Sequence, residues 1–229
     1  MPALSIIVPV LDEGGIIADA LAALAPYRAR GAEVIVVDGG SRDSTIEAAR
    51  PLADRVVTTP RGRGTQMNAG AAMAQGDALL FLHADTRLPP DADRLILHAL
   101  KRSPWGRFDV TIAGRSPLLR VVAATTNLRS RLTGIATGDQ AMFATGAAFA
   151  QAGGFPDIPL MEDIVLSQRL KRIGRPAFIA ARVTTSGRRW ERDGVVRTIL
   201  TMWRLRLAFF LGAPPARLAR RYGYGAGDA

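Results

Sequence analysis

Carboxylates, arginines and a histidine recur directly after short apolar runs in the first third of the chain, and their types suggest phosphate chemistry. Asp12 and Glu13 follow one run. Asp38, with Ser41 and Asp43, follows a second. Arg61-Gly62-Arg63-Gly64 follows a third, and His83-Ala84-Asp85 a fourth. A rim of carboxylates repels a phosphate unless a divalent cation lies between them, or unless guanidinium groups supply the positive charge. Two familiar phosphate-binding loops are missing: no G-x-G-x-x-G follows the first run, and no G-x-x-x-x-G-K-[ST] occurs anywhere. That argues against a nicotinamide dehydrogenase and against a P-loop NTPase. With no cysteine, thiolate metal sites, disulfides and a cysteine nucleophile are excluded.

The elements that must position these residues follow from hydrophobic pattern. Runs 4–10, 33–37, 55–59 and 78–82 are short, apolar and β-branched, which predicts buried strands. Helices are predicted over 16–24, 44–52 and 66–74 between them. Strands alternating with helices predict an α/β fold: an open, mostly parallel, Rossmann-like sheet with helices on both faces. Ligands of such sheets bind beyond the carboxyl ends of the strands, where all four polar groups fall. Further on, the pattern predicts a helix over 91–101 entered through Pro89 and Pro90, a strand over 106–112 and a helix over 118–132. It then predicts a strand over 140–145, a helix over 162–173 ended by Gly174, and a last helix over 195–211. Pro214 and Pro215 come next, and the Tyr222-Gly223-Tyr224-Gly225 end is expected to fray. No repeat or linker divides residues 1–229, so one domain is expected.

Composition bounds the rest. The chain has 229 residues, 48% of them hydrophobic and 22% charged, with a mean hydropathy of +0.11, which excludes a largely disordered protein. Its net charge of +10 is uneven. Residues 1–163 hold 16 basic and 17 acidic residues, and residues 164–229 hold 14 and 3. Only Lys101 and Lys171 are lysines; every other basic residue is Arg. A basic segment can face nucleic acid, anionic lipid or a phosphorylated substrate. Nucleic acid is set aside, because aromatic residues make up only 6% and no nucleic-acid module is visible. No apolar stretch approaches the ~20 residues of a membrane span, and residues 1–9 have no signal-peptide pattern. The expected place is the cytoplasm, with the basic end leaving open a peripheral position on the inner face of the membrane. In the last helix, Arg197, Thr201, Arg204 and Ala208 form a narrow polar stripe against a broad apolar face that Arg206 interrupts. Such a helix packs on its domain, pairs with a second copy in a homo-oligomer, or lies on an anionic membrane surface.

The ordered set of residues 5–13 (SIIVPVLDE), 36–43 (VVDGGSRD), 81–86 (FLHADT) and Met161-Glu162-Asp163 resembles the family 2 glycosyltransferases, with a GT-A-type nucleotide-sugar-binding fold. Gly138-Asp139-Gln140, Gly153-Gly154-Phe155 and residues 187–190 (GRRW) further resemble a subgroup linked to arsenosugar-type gene neighbourhoods. The likeness covers about residues 4–220. It implies a donor half over about 1–110, an acceptor half over about 111–190, and a C-terminal helix and tail over 191–229. It also implies transfer of a sugar from a nucleotide-diphosphate donor to a hydroxyl acceptor, lipid-linked or small, with inversion and with Mg²⁺ or Mn²⁺ as cofactor. Asp85 matches the ligating end of the family's Asp-x-Asp motif, with His83 in place of the first Asp. Glu13 and Asp38 would contact base and ribose, with Pro9 and Ala84 beside them. Arg61 and Arg63 would reach the diphosphate, and Gln66 and Asn68 would lie near the nucleotide. The Glu162-Asp163 pair matches the family's acid pair, with Asp163 as general base. Its place at a helix start implies a lowered carboxylate pKa. Asp139, Gln140, Arg189 and Trp190 fall in the acceptor half. Gly187 replaces the Gln usual in processive synthases, and a polymerising enzyme is not expected. Two alternatives remain open. One is a nucleotidyltransferase on a related sheet, which would need a basic glycine-rich loop where Asp12-Glu13 stands. The other is a non-catalytic, membrane-associated nucleotide-sugar-binding protein, to which His83 points.

Overall fold

Side chains of successive strand residues leave opposite faces of a sheet, and the first strand, β1 (Leu4–Val10), is buried on both. Ile6, Val8 and Val10 enter one core, and Ile7 enters the other. The computed structural model describes residues 2–223, in which eight strands form one sheet. After β1 come helices α1 (Ile17–Ala22) and α2 (Ala25–Ala29), β2 (Glu33–Asp38), α3 (Thr45–Ala49) and β3 (Arg55–Thr58). Then follow α4 (Arg63–Met73), β4 (Ala78–Phe81), β5 (Thr86–Arg87), α5 (Ala92–Leu100), β6 (Trp105–Ala113) and α6 (Leu118–Thr133). A 3₁₀ turn (Gly138–Gln140), β7 (Phe143–Thr145), α7 (Gly146–Gln151), α8 (Glu162–Ile173) and β8 (Ala177–Ser186) come next. Helices α9 (Arg188–Asp193), α10 (Val195–Phe210) and α11 (Pro215–Tyr222) end the described chain.

Strand order is β3-β2-β1-β4-β7-β6-β8-β5. The first four strands are parallel, β7 runs antiparallel between β4 and β6, and β8 is parallel to β6. This is the expected mixed α/β sheet. One core lies beneath α1, α2 and α5, where Leu21, Tyr27 and Ile96 meet Leu80 and Phe108. The other lies beneath α4, α7 and α8, where Met67, Phe149 and Leu166 meet Ile35 and Phe81. A third, smaller cluster joins Leu205 of α10 and Leu218 of α11 to Met161 and Ile164 at the start of α8.

Several elements depart from the pattern reading. The helix expected over 16–24 is split, because Pro26 opens a second helix at its preferred first-turn position. Helix α4 begins at Arg63 rather than Gln66, so Arg63 is helical and not part of a loop. The strand expected from residue 140 starts at Phe143. Residues 138–140 instead form a 3₁₀ turn closed by reciprocal Thr137–Gln140 capping. Strand β8 and helix α11 were not foreseen. The fraying expected around Tyr222-Gly223-Tyr224-Gly225 is not seen at Tyr222, which ends α11, while residues 224–225 lie outside the described residues. The apolar surface of α10 is divided: Leu205 enters the third cluster and Val195, Ile199 and Phe209 pack against cores, whereas Val196, Leu200, Trp203, Leu207 and Phe210 are exposed.

Candidate active site

The loops after β1 and β2 are stitched together by their polar residues. Asp12 accepts from the Arg42 N–H (2.8 Å), and the Asp12 N–H donates to Ser41 (2.9 Å). The Glu13 N–H donates to Thr45 (2.8 Å), and the Gly14 N–H to Asp43 (2.9 Å). These bonds hold Asp12 in a left-handed conformation (φ 51°), which an Asp adopts at lower cost than most residues. Glu13 is thereby projected from the carboxyl end of β1. Asp43 spends its carboxylate on this stitching, and the bonds from Thr45 and Gly14 hold its pKa below the usual carboxylate value.

Glu13 opens onto a cleft of about 380 Å³. Pro9, Val10 and Leu11 line its β1 side, and Arg61, Gly62 and Arg63 line the entry to α4. His83, Ala84 and Asp85 form its floor, with Pro159 and Arg189 opposite. Glu13 and Asp85 are near enough to repel. Burial raises the Glu13 pKa, Arg188 (3.8 Å away) opposes the rise, and Asp85 and Asp43 add to it. The His83–Asp85 segment crosses from β4 to the far edge of the sheet, where β5 pairs antiparallel with β8. Thr86 and Thr185 bond to each other (3.1 Å), and both reach Asp85 Oδ1 at 3.3 and 3.4 Å. Thr185 is a supporting residue that the pattern reading missed. Its only trace was the β-branched run in residues 183–185, within a strand diluted by Ala and Arg.

A second space, of about 10 Å³ or roughly one water molecule, lies beside His83. Glu162, Asp163 and Gly138 line it, and His83 borders both spaces. The acid pair opens α8 after Met161, a left-handed residue (φ 71°). Asp163 Oδ2 accepts from the Gly138 N–H (2.9 Å) and its Oδ1 from the Ile164 N–H (2.7 Å), and Glu162 pairs with Arg63 (3.1 Å). Glu162 is buried, and burial raises its pKa; Arg63 lowers it and Asp163 raises it further. The lowered pKa expected from the helix start is therefore overturned at Glu162, because desolvation of the charged form outweighs the favourable terms. Burial also lowers the His83 pKa, with Arg63 acting the same way and Asp85, Asp139 and Asp163 opposing. A neutral imidazole is the form that can ligate a metal.

Not every expected residue reaches this cleft. Asp38 is fully buried, and both its oxygens are engaged by its own turn: the Gly40 and Ser41 N–H groups at 2.8 and 3.0 Å, and the Ser41 hydroxyl. Asn68 spends its amide on both backbone groups of Phe155, at 2.9 Å each. Gln66 lines the cleft, but its amide N–H groups bridge the Val10 and Val37 carbonyls at 2.8 Å. Gln140 is buried, with its side chain bonded to Thr137 and Asn127. In this structure the hydrogen bonds of these four side chains go to backbone groups and to other side chains, and of the four only Gln66 lines the cleft. Trp190 packs half-buried against the main core. Arg189 stacks on Tyr222 (3.6 Å) and donates to its carbonyl (2.8 Å), tying α11 to the cleft.

Among the described residues no group of three or more His, Asp or Glu side chains converges as a metal cage. Asp85 and His83 can supply two ligands. Mg²⁺ and Mn²⁺ are commonly held by one or two such groups together with phosphate oxygens of a bound ligand. The residues present fit an ion held jointly with a ligand.

A model of glycosyl transferase family 2 matches residues 5–143. A PGL/p-HBAD biosynthesis glycosyltransferase of Mycobacterium tuberculosis is 35% identical over 94 residues, which is 38% of this chain and 37% of the relative. The chain thus spans little more than a third of the curated relatives it matches. Their naming supports the family and not the arsenosugar-linked subgroup. Among solved structures, S. aureus TarS residues 1–349 in complex with UDP-GlcNAc superpose with a TM-score of 0.66 at 21% identity, over 81% of this chain and 58% of that one. Mannosyltransferase PcManGT from Pyrobaculum calidifontis, in complex with GDP-Man and Mn²⁺, gives 0.65 at 23% identity, over 90% and 61%. Glucosyl-3-phosphoglycerate synthase from Mycobacterium tuberculosis, in complex with Mn²⁺, UDP and its product, gives 0.57 at 19% identity, over 80% and 71%. These likenesses show the fold.

Proposed function

Because the chain belongs to glycosyl transferase family 2, we propose that it moves a sugar from a nucleotide-diphosphate donor to a hydroxyl acceptor, with inversion and with a divalent cation. The observation that carries this reading is the cleft lined by Glu13, Arg61, Arg63, His83 and Asp85, with His83 also bordering a second, water-sized space lined by Glu162 and Asp163. Asp85 and His83 would hold Mg²⁺ or Mn²⁺, which when bound supplies positive charge beside the departing diphosphate. Arg61 and Arg63 add fixed charge of the same sign. Glu13 accepts from N–H or O–H groups of the nucleoside, against Pro9 and Ala84. Asp163 takes the proton of the acceptor hydroxyl as its oxygen bonds to the anomeric carbon. The anomeric carbon–oxygen bond breaks on the opposite side, and the electron pair leaves with the nucleoside diphosphate.

The acceptor enters from the side of the Gly138–Gln140 turn, near Asp139 and Arg189. The exposed apolar row of α10, in a segment with 14 basic and 3 acidic residues, supports peripheral contact with an anionic membrane surface and a lipid-linked acceptor. Flotation with anionic against neutral vesicles tests that contact, and equal, negligible binding rules it out. For transfer itself, Asp163→Asn is expected to abolish product formation while leaving nucleotide binding within about twofold of the parent, since only the proton acceptor is removed. Full turnover in that variant, followed by product chromatography, would place the base elsewhere.

A further inference from the structure

Helices α6 and α10 pack against each other, and each carries a half-buried arginine with buried guanidinium nitrogens that lack a hydrogen-bond partner among the described residues. Arg129 Nε and Nη2 and Arg206 Nε are buried and make no hydrogen bond among the described residues. Asp139 Oδ1, in the 3₁₀ turn, is buried and unpartnered as well. Arg107 shows what a structural buried arginine looks like in the same half. It is ion-paired with Asp109 and bonded to Ser130 (3.0 Å) and to the Asn127 carbonyl (3.1 Å). Buried polar groups are nearly always satisfied, and an exception needs a reason.

These nitrogens lie near the start of α8, within electrostatic reach of Asp163 for Arg129 and next to the Leu205 packing for Arg206. Asp139 follows Gly138, whose N–H bonds to Asp163. Leu205, the neighbour of Arg206, packs with Met161 and Ile164 on either side of that pair. The charges feel one another. The Arg129 pKa is pushed down to about 10, first by burial and then by Arg206, with Asp139 and Asp163 opposing and Arg107 adding a little. Neither arginine lines the cleft that holds Glu13 and Asp85. Arg129 instead lies within electrostatic reach of Asp139 and Asp163, and Arg206 within reach of Arg129.

We propose that Arg129 and Arg206 bind the anionic group of the acceptor, and that the acceptor is a hydroxyl-bearing phosphate ester. Three unpartnered guanidinium nitrogens on two cations need acceptors, and guanidinium forks match phosphate oxygens. The unpartnered Asp139 oxygen requires a hydrogen-bond donor, which a neighbouring hydroxyl of the same molecule supplies. A polyol or sugar phosphate meets both demands, free in solution or as a lipid headgroup. The inference rests on the transfer reading, because that reading makes the Asp163 side the acceptor side.

The test is calorimetry on the full chain with glycerol 3-phosphate, with glycerol as the uncharged control, and sedimentation with phosphatidylcholine vesicles with and without phosphatidylglycerol. Glycerol 3-phosphate is expected to bind and glycerol is not. Arg129→Gln and Arg206→Gln should each weaken binding about tenfold or more, while exposed Arg120→Gln leaves it unchanged. Binding of the free phosphate identifies a soluble acceptor. Binding confined to phosphatidylglycerol vesicles, and lost in Arg129→Gln but not in Arg120→Gln, identifies a headgroup. Without ligand, Arg129→Gln should melt at or above the parent temperature, since an unpaired buried charge is removed. A lower melting temperature with unchanged phosphate affinity would mean a structural arginine and overturn the proposal, as would equal binding by all variants in both arms. Nucleotide-sugar binding by the same samples separates the failures. If it persists, only the acceptor assignment falls; if the parent binds no nucleotide sugar, the transfer reading falls too.

Discussion

Glu162 sits at the start of α8, where the helix dipole favours a negative charge, yet burial raises its pKa despite Arg63 at 3.1 Å. The sign of the linkage follows. A carboxyl group whose folded pKa lies above its unfolded value of 4.5 contributes stability that is complete below that value and is lost as pH rises through the folded pKa. Urea titrations across a pH series should therefore show Glu162→Gln gaining stability relative to the parent from about pH 4.5 upward and then levelling off. A parent that gains on the variant over that interval would contradict the buried, proton-retaining Glu162. The same scale explains which site residues were readable from their types. Glu13, Arg61, Arg63, His83 and Asp85 follow strands and do reach the rim. Asp38, Asn68, Gln66 and Gln140 are equally polar, but their hydrogen bonds are spent on backbone groups and side chains 2 to 87 positions away. Residue type states a capacity to bond, and only the folded neighbourhood decides which partner takes it.

At the scale of elements, α4 carries Arg63, with Arg61 just before it, and must lie close to the sheet. Gly70 permits this, since a Cβ there would fall 2.4 Å from Ile7 Cγ2 and 3.0 Å from Val37 Cγ2. Gly70→Ala would gain helix propensity of about 1 kcal/mol but must push α4 off β1 and β2. A net loss of about 1–3 kcal/mol is expected from such overpacking, read as a lower urea midpoint. An unchanged midpoint would mean that the helix-to-sheet spacing is slack. The parallel strands β1, β2 and β4 were legible because burial on both faces leaves continuous apolar runs. Strand β8 was not. It is only half-buried, and Ala177, Ala180, Ala181 and Arg182 dilute its pattern. Its pairing with β6 and β5 is a long-range fact that no local window holds. The apolar stripe of α10 was legible as a stripe, but the side it faces was not. Five of its large side chains point away from every core of the chain.

Across the whole molecule, one sheet brings residues from the ends of β1, β3 and β4 into one cleft, beside a second space at the start of α8. Helices on both faces fix the strands, and α9 to α11 are tied to the cleft and to the start of α8 through the Arg189–Tyr222 stack and the Leu205–Ile164 packing. The charge asymmetry has the same geography, with the near-neutral first 163 residues holding the proposed donor cleft and the basic remainder flanking the proposed acceptor side. The account stands on a nucleotide-diphosphate donor being held in that cleft by Asp85 through a divalent cation. Isothermal titration of UDP-, GDP- and dTDP-sugars into the protein with MnCl₂, then with EDTA, then into Asp85→Asn, measures this directly. At least one donor should bind with Mn²⁺, weaken with EDTA, and show no metal dependence in the variant. Binding by none of them, or equal affinity under all three conditions, would contradict it.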